Sequence, residues 1–537
     1  MSVPPPRVVP ELLTRLRDDL LTTGFTVDGV SAHLGPMVAG ALAREHVLPA
    51  ERATRADGSP LSALVRLFTL GVEVPFDAVD AALPTLRGDG LVELGLAERA
   101  GADLHARADL RPYGDEEHDW WVASDLGAAG RGTPLEPDHV VGIGGASLTL
   151  AAWTPRPRVR RALDIGVGCG VQALHLAGHA EQIVATDVSE RALGFARFNA
   201  ALAGQEWDLR AGNLFEPVAG ERFDLVVSNP PYVITPRRAR VPLFAYRDGG
   251  RAGDGVVADL VRGVADVLEP GGIAHFIGNW EIHAHTDWRT RWREWLQGTG
   301  LDAWVVQRGV QDPAQYAETW ARDGGHLPGS WVHDELYAAW LDDFAERGVA
   351  GIGLGVVTLQ RPRGPEGSRP PFVDLVEVEG AVATPMGPAV LAGLAARTWL
   401  AEHDDDEVLD TVWLVAPDVT LETHRPPAAA HPSVIVARQG GGLGVSRRID
   451  TQTAALLSVC DGDLTARAAL AAIDAVLEST ALEATEIEAT EFEATELEAT
   501  EPSEGAEPDE PARVTAVAQL RALVADGFVV PAQSPAP

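Results

Sequence analysis

Apolar positions along residues 1–105, read as a helical N-terminal domain, recur every three or four residues. ELLTRLRDDLLTTG and SALVRLFTLG each carry such a stripe and each stops at a glycine, as helix ends commonly do. From residue 106 to 156 the pattern shortens to strand-like pieces: WWVAS, HVVGIGG and SLTLAAW. Between 157 and 360, short apolar runs (RALDIGVG, QIVATDV, FDLVVSN, GGIAHFIGN) alternate with helix-length amphipathic segments. That alternation predicts an α/β domain, a mostly parallel sheet with helices on both faces. A Pro/Gly/Arg-rich linker, RPRGPEGSRP, occupies 361–370. The remainder, 371–537, reads as α+β and begins with candidate strands VDLVEVEG and TVWLVAP.

Both flanks suggest the same small module. VDAALPTLRGDGLVELGLAERAG looks like the last helix and hairpin of a winged helix, or equally like a helical cap on the next domain. SVIVARQGGGLGVSRRIDTQTAALLSVCDGDLTARAALAAI and AVAQLRALVADGFVVPA read as the two halves of a second winged-helix-like unit. Between these halves the pentapeptides LEATE, IEATE, FEATE and LEATE repeat from Leu482 to Glu501. Their five-residue period matches neither helix nor strand, and the acidic content predicts a solvated, disordered insertion at about 478–512.

The formal charge of the 537-residue chain is −35, which disfavours nucleic acid as a partner. Much of it is local, for residues 478–510 hold 13 acidic side chains and no basic one. Every one of the 43 basic residues is arginine, so arginine abundance alone says little about function. No apolar run reaches membrane-spanning length, and MSVPPPRVVPELL lacks the order of a signal peptide. The two cysteines, Cys169 and Cys460, suit a reducing compartment. A cytoplasmic protein of about three or four domains is expected.

The chemistry concentrates in the α/β region. LDIGVGCG places Gly166, Gly168 and Gly170 between a strand and a helix, where backbone amides can approach a ligand. IVATDVS then puts Asp187 at the end of the next strand, positioned to accept hydrogen bonds from two ribose hydroxyls. The G-x-G-x-G spacing departs from the G-x-G-x-x-G of dinucleotide binders, so a pyrophosphate is not the obvious ligand. Asp164 to Gly170, followed by Asp187, resembles the cofactor site of class I S-adenosylmethionine-dependent methyltransferases. That resemblance implies S-adenosylmethionine as cofactor, Asp164 near its methionine end and the glycines under the nucleoside. In RAGNLFEP it implies Asn213 at the adenine amine, where relatives usually carry aspartate, and Leu214 on the ring.

FDLVVSNPPY ends its candidate strand in Asn229, Pro230, Pro231 and Tyr232. Prolines fix φ and lack N–H, leaving their carbonyls and the Asn229 side chain free to accept from a planar NH2 group. Tyr232 offers a flat face for stacking, and its ring tolerates a nearby sulfonium. In the resembled superfamily this quartet marks the N-methylating branch, which includes nucleic-acid adenine-N6 enzymes and release-factor glutamine methyltransferases. The reaction implied is in-line methyl transfer governed by orientation, with no metal and no covalent nucleophile.

Two substrates compete. YRDGGRAGDG, with Asp248, Gly249, Gly250, Asp254 and Gly255, resembles the segment that follows the motif in glutamine methyltransferases. Against it, Arg237, Arg238 and Arg240 could hold phosphates beside a target base, and winged-helix-like flanks point the same way. By a small margin these favour an RNA base, either adenine N6 or a guanine amine, with a protein glutamine as the alternative. A non-catalytic RNA- or partner-binding module on the same fold is the third reading. Elsewhere, Trp288, Trp292 and Trp295 form a core-facing helical stripe, and HDDDE (403–407) a solvated loop rather than a metal site. Cys169 reads as a packing residue, and Arg156, Arg158, Arg160 and Arg161 as surface arginines.

Overall fold

The computed structural model describes residues 3–44, 46–127, 135–237, 241, 243–323, 328–365, 367–427, 429, 431–492 and 510–532. They form two compact units: residues 1–365 with 373–379, and residues 366–372 with 380–537.

The first unit opens with helices α1 (Pro10–Thr23), α2 (Val27–Ala43), α3 (Leu48–Asp57) and α4 (Pro60–Leu64). At the end of α1, Gly24 adopts φ 73°, the left-handed cap its sequence position suggested. Next come β1 (Val74–Pro75), α5 (Phe76–Ala82), α6 (Arg87–Leu94), β2 (Ala97–Ala100) and β3 (Asp103–Ala106). The last two make a hairpin to which β1 adds antiparallel, a winged-helix order. Residue 105 is not a packing boundary, however. Leu13, Leu16, Phe25 and Phe68 share one buried cluster with Leu174, Phe195 and Phe198 of the following domain.

A second hairpin pairs β4 (Asp109–Gly114) with β5 (Asp119–Ser124), so WWVAS is a strand. HVVGIGG and SLTLAAW are not: the first lies outside regular structure up to Gly144, and the second falls within helix α7 (Gly145–Trp153). A continuous apolar run carries no period, so neighbours decide between strand and helix here.

The core strands are β6 (Val159–Ile165), β7 (Ala180–Asp187), β8 (Asp208–Ala211), β9 (Phe223–Ser228), β10 (Leu268–His283), β11 (Asp302–Gln311), β12 (Val349–Gln360) and β13 (Val373–Glu377). They form one sheet in the order β13-β11-β12-β10-β9-β6-β7-β8. Only β12 runs antiparallel to its neighbours. β13 carries VDLVEVEG into this sheet beside β11, whereas its position after the linker suggested the C-terminal region. Helices α8 (Val171–Leu176), α9 (Glu190–Leu202), α10 (Gly255–Val267), α11 (Trp288–Leu296), α12 (Pro313–Asp323) and α13 (Trp331–Arg347) complete the unit. The tryptophans of α11 are buried, with Trp292 edge-on to Trp280 at 5.0 Å. The chain leaves β6 in one direction and reaches β9 in the other, and at such a switch point the strand ends open a crevice.

The second unit holds two three-stranded antiparallel sheets and five helices among its described residues. HDDDE is not a loop there: Asp404 caps helix α15 (Asp405–Asp410) after α14 (Gly387–Glu402), and Asp404 and Glu407 bond reciprocally as a capping box. After α16 (Thr451–Val459), α17 (Ala466–Phe492) continues through the first pentapeptides, which the period alone had excluded. Leucine, alanine and glutamate favour helix strongly enough to override a mismatched repeat. The repeats beyond Phe492 lie outside the described residues.

Candidate active site

A cleft of about 740 Å³ opens over the carboxyl ends of β6, β7 and β9. Gly166, Gly168, Asp187, Asn213, Leu214, Asn229, Pro230, Pro231 and Tyr232 all line it, as residues 65 positions apart are brought together by the switch in strand order.

After β6 the chain turns through Gly166 (φ 73°), Gly168 (φ 55°) and Gly170 (φ 96°), left-handed conformations that glycine takes without strain. The amides of Gly166 and Val167 both donate to the Thr186 carbonyl, at 2.8 and 2.9 Å, so the turn is stitched to the end of β7. Asp187 completes the stitch by accepting from the Gly168 amide at 2.9 Å and the Ser189 amide at 2.8 Å. Burial pushes the Asp187 carboxyl up, while these amides pull it back toward the charged form. Gly170 does not line the cleft. A Cβ there would come within 2.6 Å of the Trp207 ring, so its role is to let that indole pack under the turn.

Asp164 also lies off the cleft wall. It is 1% exposed behind the glycine turn, and among the described residues neither carboxylate oxygen has a hydrogen-bond partner of good geometry. Burial first, and the nearby Asp187 charge second, raise its pKa to about 7. A buried carboxylate without a partner suits a cationic ligand group such as an ammonium. The adenine side is walled by Asn213 and Leu214, the latter held at φ 46°, beside the exposed Val188. Gly212 precedes them because a Cβ there would meet Pro217 at 2.5 Å. Glycine cradle, ribose-facing carboxylate, apolar wall and orphan carboxylate together fit S-adenosylmethionine.

Opposite stands the Asn229–Tyr232 turn. Ser228 ties it to β6 by donating to the Ile165 carbonyl at 2.7 Å. The Asn229 amide nitrogen faces the Ser147 hydroxyl at 3.4 Å, leaving its oxygen as acceptor. The Tyr232 amide donates to the Pro230 carbonyl at 2.8 Å, tightening the turn. Burial raises the Tyr232 hydroxyl to about 12, so it remains protonated.

YRDGG forms the facing wall. Tyr232 and Asp248 make an isolated antiparallel bridge, and the Val233 amide donates to the Arg247 carbonyl at 2.9 Å. Thr235 hydroxyl and Phe244 amide both donate to Asp248. A Cβ on Gly249 would lie 2.8 Å from the Pro231 carbonyl, so only glycine permits this approach. Asp254 and Gly255 do not line the cleft; Asp254 is buried and pairs with Arg291 at the start of α10.

The arginines are arranged otherwise than the phosphate argument expects. Arg237 is outside the cleft lining and donates twice to the Arg251 carbonyl, at 3.1 and 2.8 Å. Arg251 bonds Asp259 at 2.6 Å. Arg238 and Arg240 lie outside the described residues. Residues overlooked in the sequence include the segment from His139 to Ser147, which lines the cleft ahead of and into α7. Its GIGG run was a usable signal, read instead as part of a strand-like piece. Asn199, fully buried, pins this region by bonding Ala123 in both directions and the Cys169 carbonyl at 2.7 Å. Cys169 is 3% exposed with its thiol pushed up to about 12, which suits packing and not nucleophilic work. Arg161 is half-buried rather than surface, paired with Glu221 at 2.6 Å. Among the described residues no group of His, Cys, Asp and Glu could hold a metal, and no helix is long and apolar enough to cross a membrane.

Comparison with known proteins follows this division. The methyltransferase small domain model matches residues 142–292, and a domain of unknown function (DUF7059) matches 22–108. The chain is 33% identical over 239 residues to the release factor glutamine methyltransferase of Deinococcus radiodurans, covering 39% of this chain and 81% of that one. It is 30% identical over 191 residues to ribosomal RNA small subunit methyltransferase C of Enterobacter sp. strain 638, covering 35% and 51%, about half that relative's length. A solved 16S rRNA methyltransferase of T. thermophilus, in complex with AdoMet and guanosine, superposes with TM-score 0.25 at 18% identity, covering 46% and 66%.

Proposed function

The chain belongs to the class I S-adenosylmethionine-dependent methyltransferases, and from that membership we propose that it methylates the side-chain amide nitrogen of a protein glutamine. The observation that carries this reading is the Tyr232–Asp248 bridge, with Gly249 closed on the Pro231 carbonyl. It makes YRDGG, the segment that resembles the glutamine enzymes, one wall of the acceptor subsite. The competing phosphate argument loses Arg237, whose donors go to the Arg251 carbonyl.

A glutamine amide presents two coplanar N–H donors. Asn229 Oδ1 accepts one, and the Pro230 carbonyl accepts the other through the lone pair that Tyr232 leaves free. Both bonds hold the amide plane and draw the nitrogen lone pair out of conjugation. Tyr232 packs beside it and excludes water. S-adenosylmethionine supplies an electrophilic methyl group on a sulfonium and leaves as the neutral thioether. The nitrogen gains that methyl and sheds one proton to solvent, so no buried base is required. Orientation accounts for the acceleration. Two free cysteines support a cytoplasmic setting.

A second reading, an RNA base amine, rests on the winged-helix order of the first unit and the ribosomal RNA enzymes among the relatives. Both are tested by incubating purified protein with methyl-labelled S-adenosylmethionine and lysate from a strain lacking the gene. Protease-sensitive label that yields N5-methylglutamine on digestion supports the proposal. Nuclease-sensitive label overturns it in favour of the RNA base.

A further inference from the structure

The acceptor end of the cleft carries a carboxylate that methyl transfer does not use. Asp323, the last residue of α12, lines the cleft with its side chain 38% exposed. The cleft's other two carboxylates are held elsewhere: Asp187 at the glycine turn, and Asp248, 1% exposed, by Thr235 and Phe244.

Asp323 is held from one side only. Its Oδ2 accepts from the Tyr246 hydroxyl at 2.6 Å and from the Arg247 guanidinium at 3.0 Å. Its Oδ1 has no partner among the described residues. Arg247 is itself 3% exposed and anchored on the Trp320 carbonyl at 2.9 Å, so it cannot swing away. Burial, and then Asp323 itself, keep the Tyr246 hydroxyl protonated and donating. The carboxylate is therefore held through Oδ2, with Oδ1 unengaged among the described residues.

We propose that Asp323 Oδ1 is a specificity subsite that accepts a backbone N–H of the polypeptide flanking the target glutamine. Arg247 is shared between Asp323 and the buried Asp248, so the Asp323 carboxylate keeps its negative character and suits an N–H donor. A phosphate, which offers only acceptors, would face a fixed negative oxygen there and be repelled. Trp320, also on the wall, gives the flanking chain an apolar surface to lie against. This inference rests on the glutamine reading and adds a discriminating residue to it.

The test uses the full-length chain and the methyl-accepting protein fraction of the deletion-strain lysate. Asp323→Asn is nearly isosteric, and S-adenosylhomocysteine affinity by calorimetry checks that the cofactor side is intact. Expected is a rise in KM for the protein fraction of about tenfold, the scale of a lost charged hydrogen bond, with kcat and cofactor affinity unchanged. Tyr246→Phe should raise KM by less, because the carboxylate remains but loses one restraint. Unchanged KM in Asp323→Asn, with label still entering protein, overturns this subsite and leaves the glutamine reading standing. A matching fall in cofactor affinity overturns it too, as a general distortion. Label that enters RNA instead overturns the glutamine reading, and this subsite with it.

Discussion

Gly168 and Asp187, nineteen positions apart, are joined by a 2.9 Å hydrogen bond from backbone amide to carboxylate. The bond fixes where the carboxylate points, and the Ser189 amide fixes its other oxygen. Each oxygen keeps a lone pair for a ribose hydroxyl.

Asp187→Ala removes the carboxylate proposed to hold the ribose hydroxyls and loosens the turn. S-adenosylhomocysteine should then bind about tenfold to a hundredfold more weakly by titration calorimetry. Affinity equal to the parent's would remove Asp187 from the cofactor site.

Gly170→Ala should act on stability rather than on binding contacts. Its φ of 96° disfavours any L side chain, and the new methyl meets Trp207 at 2.6 Å. A loss of about 1–3 kcal/mol in denaturant unfolding is expected. Pairing it with Trp207→Leu should recover the steric part and leave the backbone part; no recovery would mean the ring contact is unimportant.

Asn229→Ala separates chemistry from cofactor binding. The side-chain acceptor for the substrate amine disappears while the glycine turn and Asp187 are untouched. Methyl transfer should fall by at least about a hundredfold with S-adenosylhomocysteine affinity within about twofold. Persisting transfer would displace the acceptor site from this turn.

Asp164 ties cofactor binding to pH. Its pKa is raised to about 7 in the free protein, well above the usual carboxylate range. A raised carboxyl favours folding while protonated, so this contribution is full below about 4 and is lost as pH rises through about 7. A cationic ligand group would stabilise the ionised form. Binding of S-adenosylhomocysteine should therefore release a proton below about pH 7 and tighten as pH rises toward it. Calorimetry in buffers of different ionisation enthalpy reads that release. Asp164→Asn should abolish it, and equal release from that variant would assign the proton elsewhere.

The candidate site was legible to different depths. Asn229, Pro230, Pro231 and Tyr232 stand out because their chemistry is contiguous, and the glycine turn because spacing and strand context coincide. His139–Ser147 escaped because its wall-forming role depends on α7 folding back over the cleft, which no local period encodes. Arg237 misled for the opposite reason: a cation's availability depends on neighbours, and the Arg251 carbonyl claims its donors. Gly170 was rightly singled out but for the wrong partner, since Trp207 comes from a segment thirty-seven positions away.

By itself the sequence determined the α/β alternation, the methyl-donor chemistry and the Asn229–Tyr232 turn at the end of its strand, because each is written in a short run of residues with fixed spacing. Tertiary structure alone decided that β13 joins the central sheet, that Asp164 lies behind the turn, and that YRDGG faces the acceptor residues. These are consequences of strand order and of which buried groups find partners. Such facts arise only when distant segments compete for the same contacts.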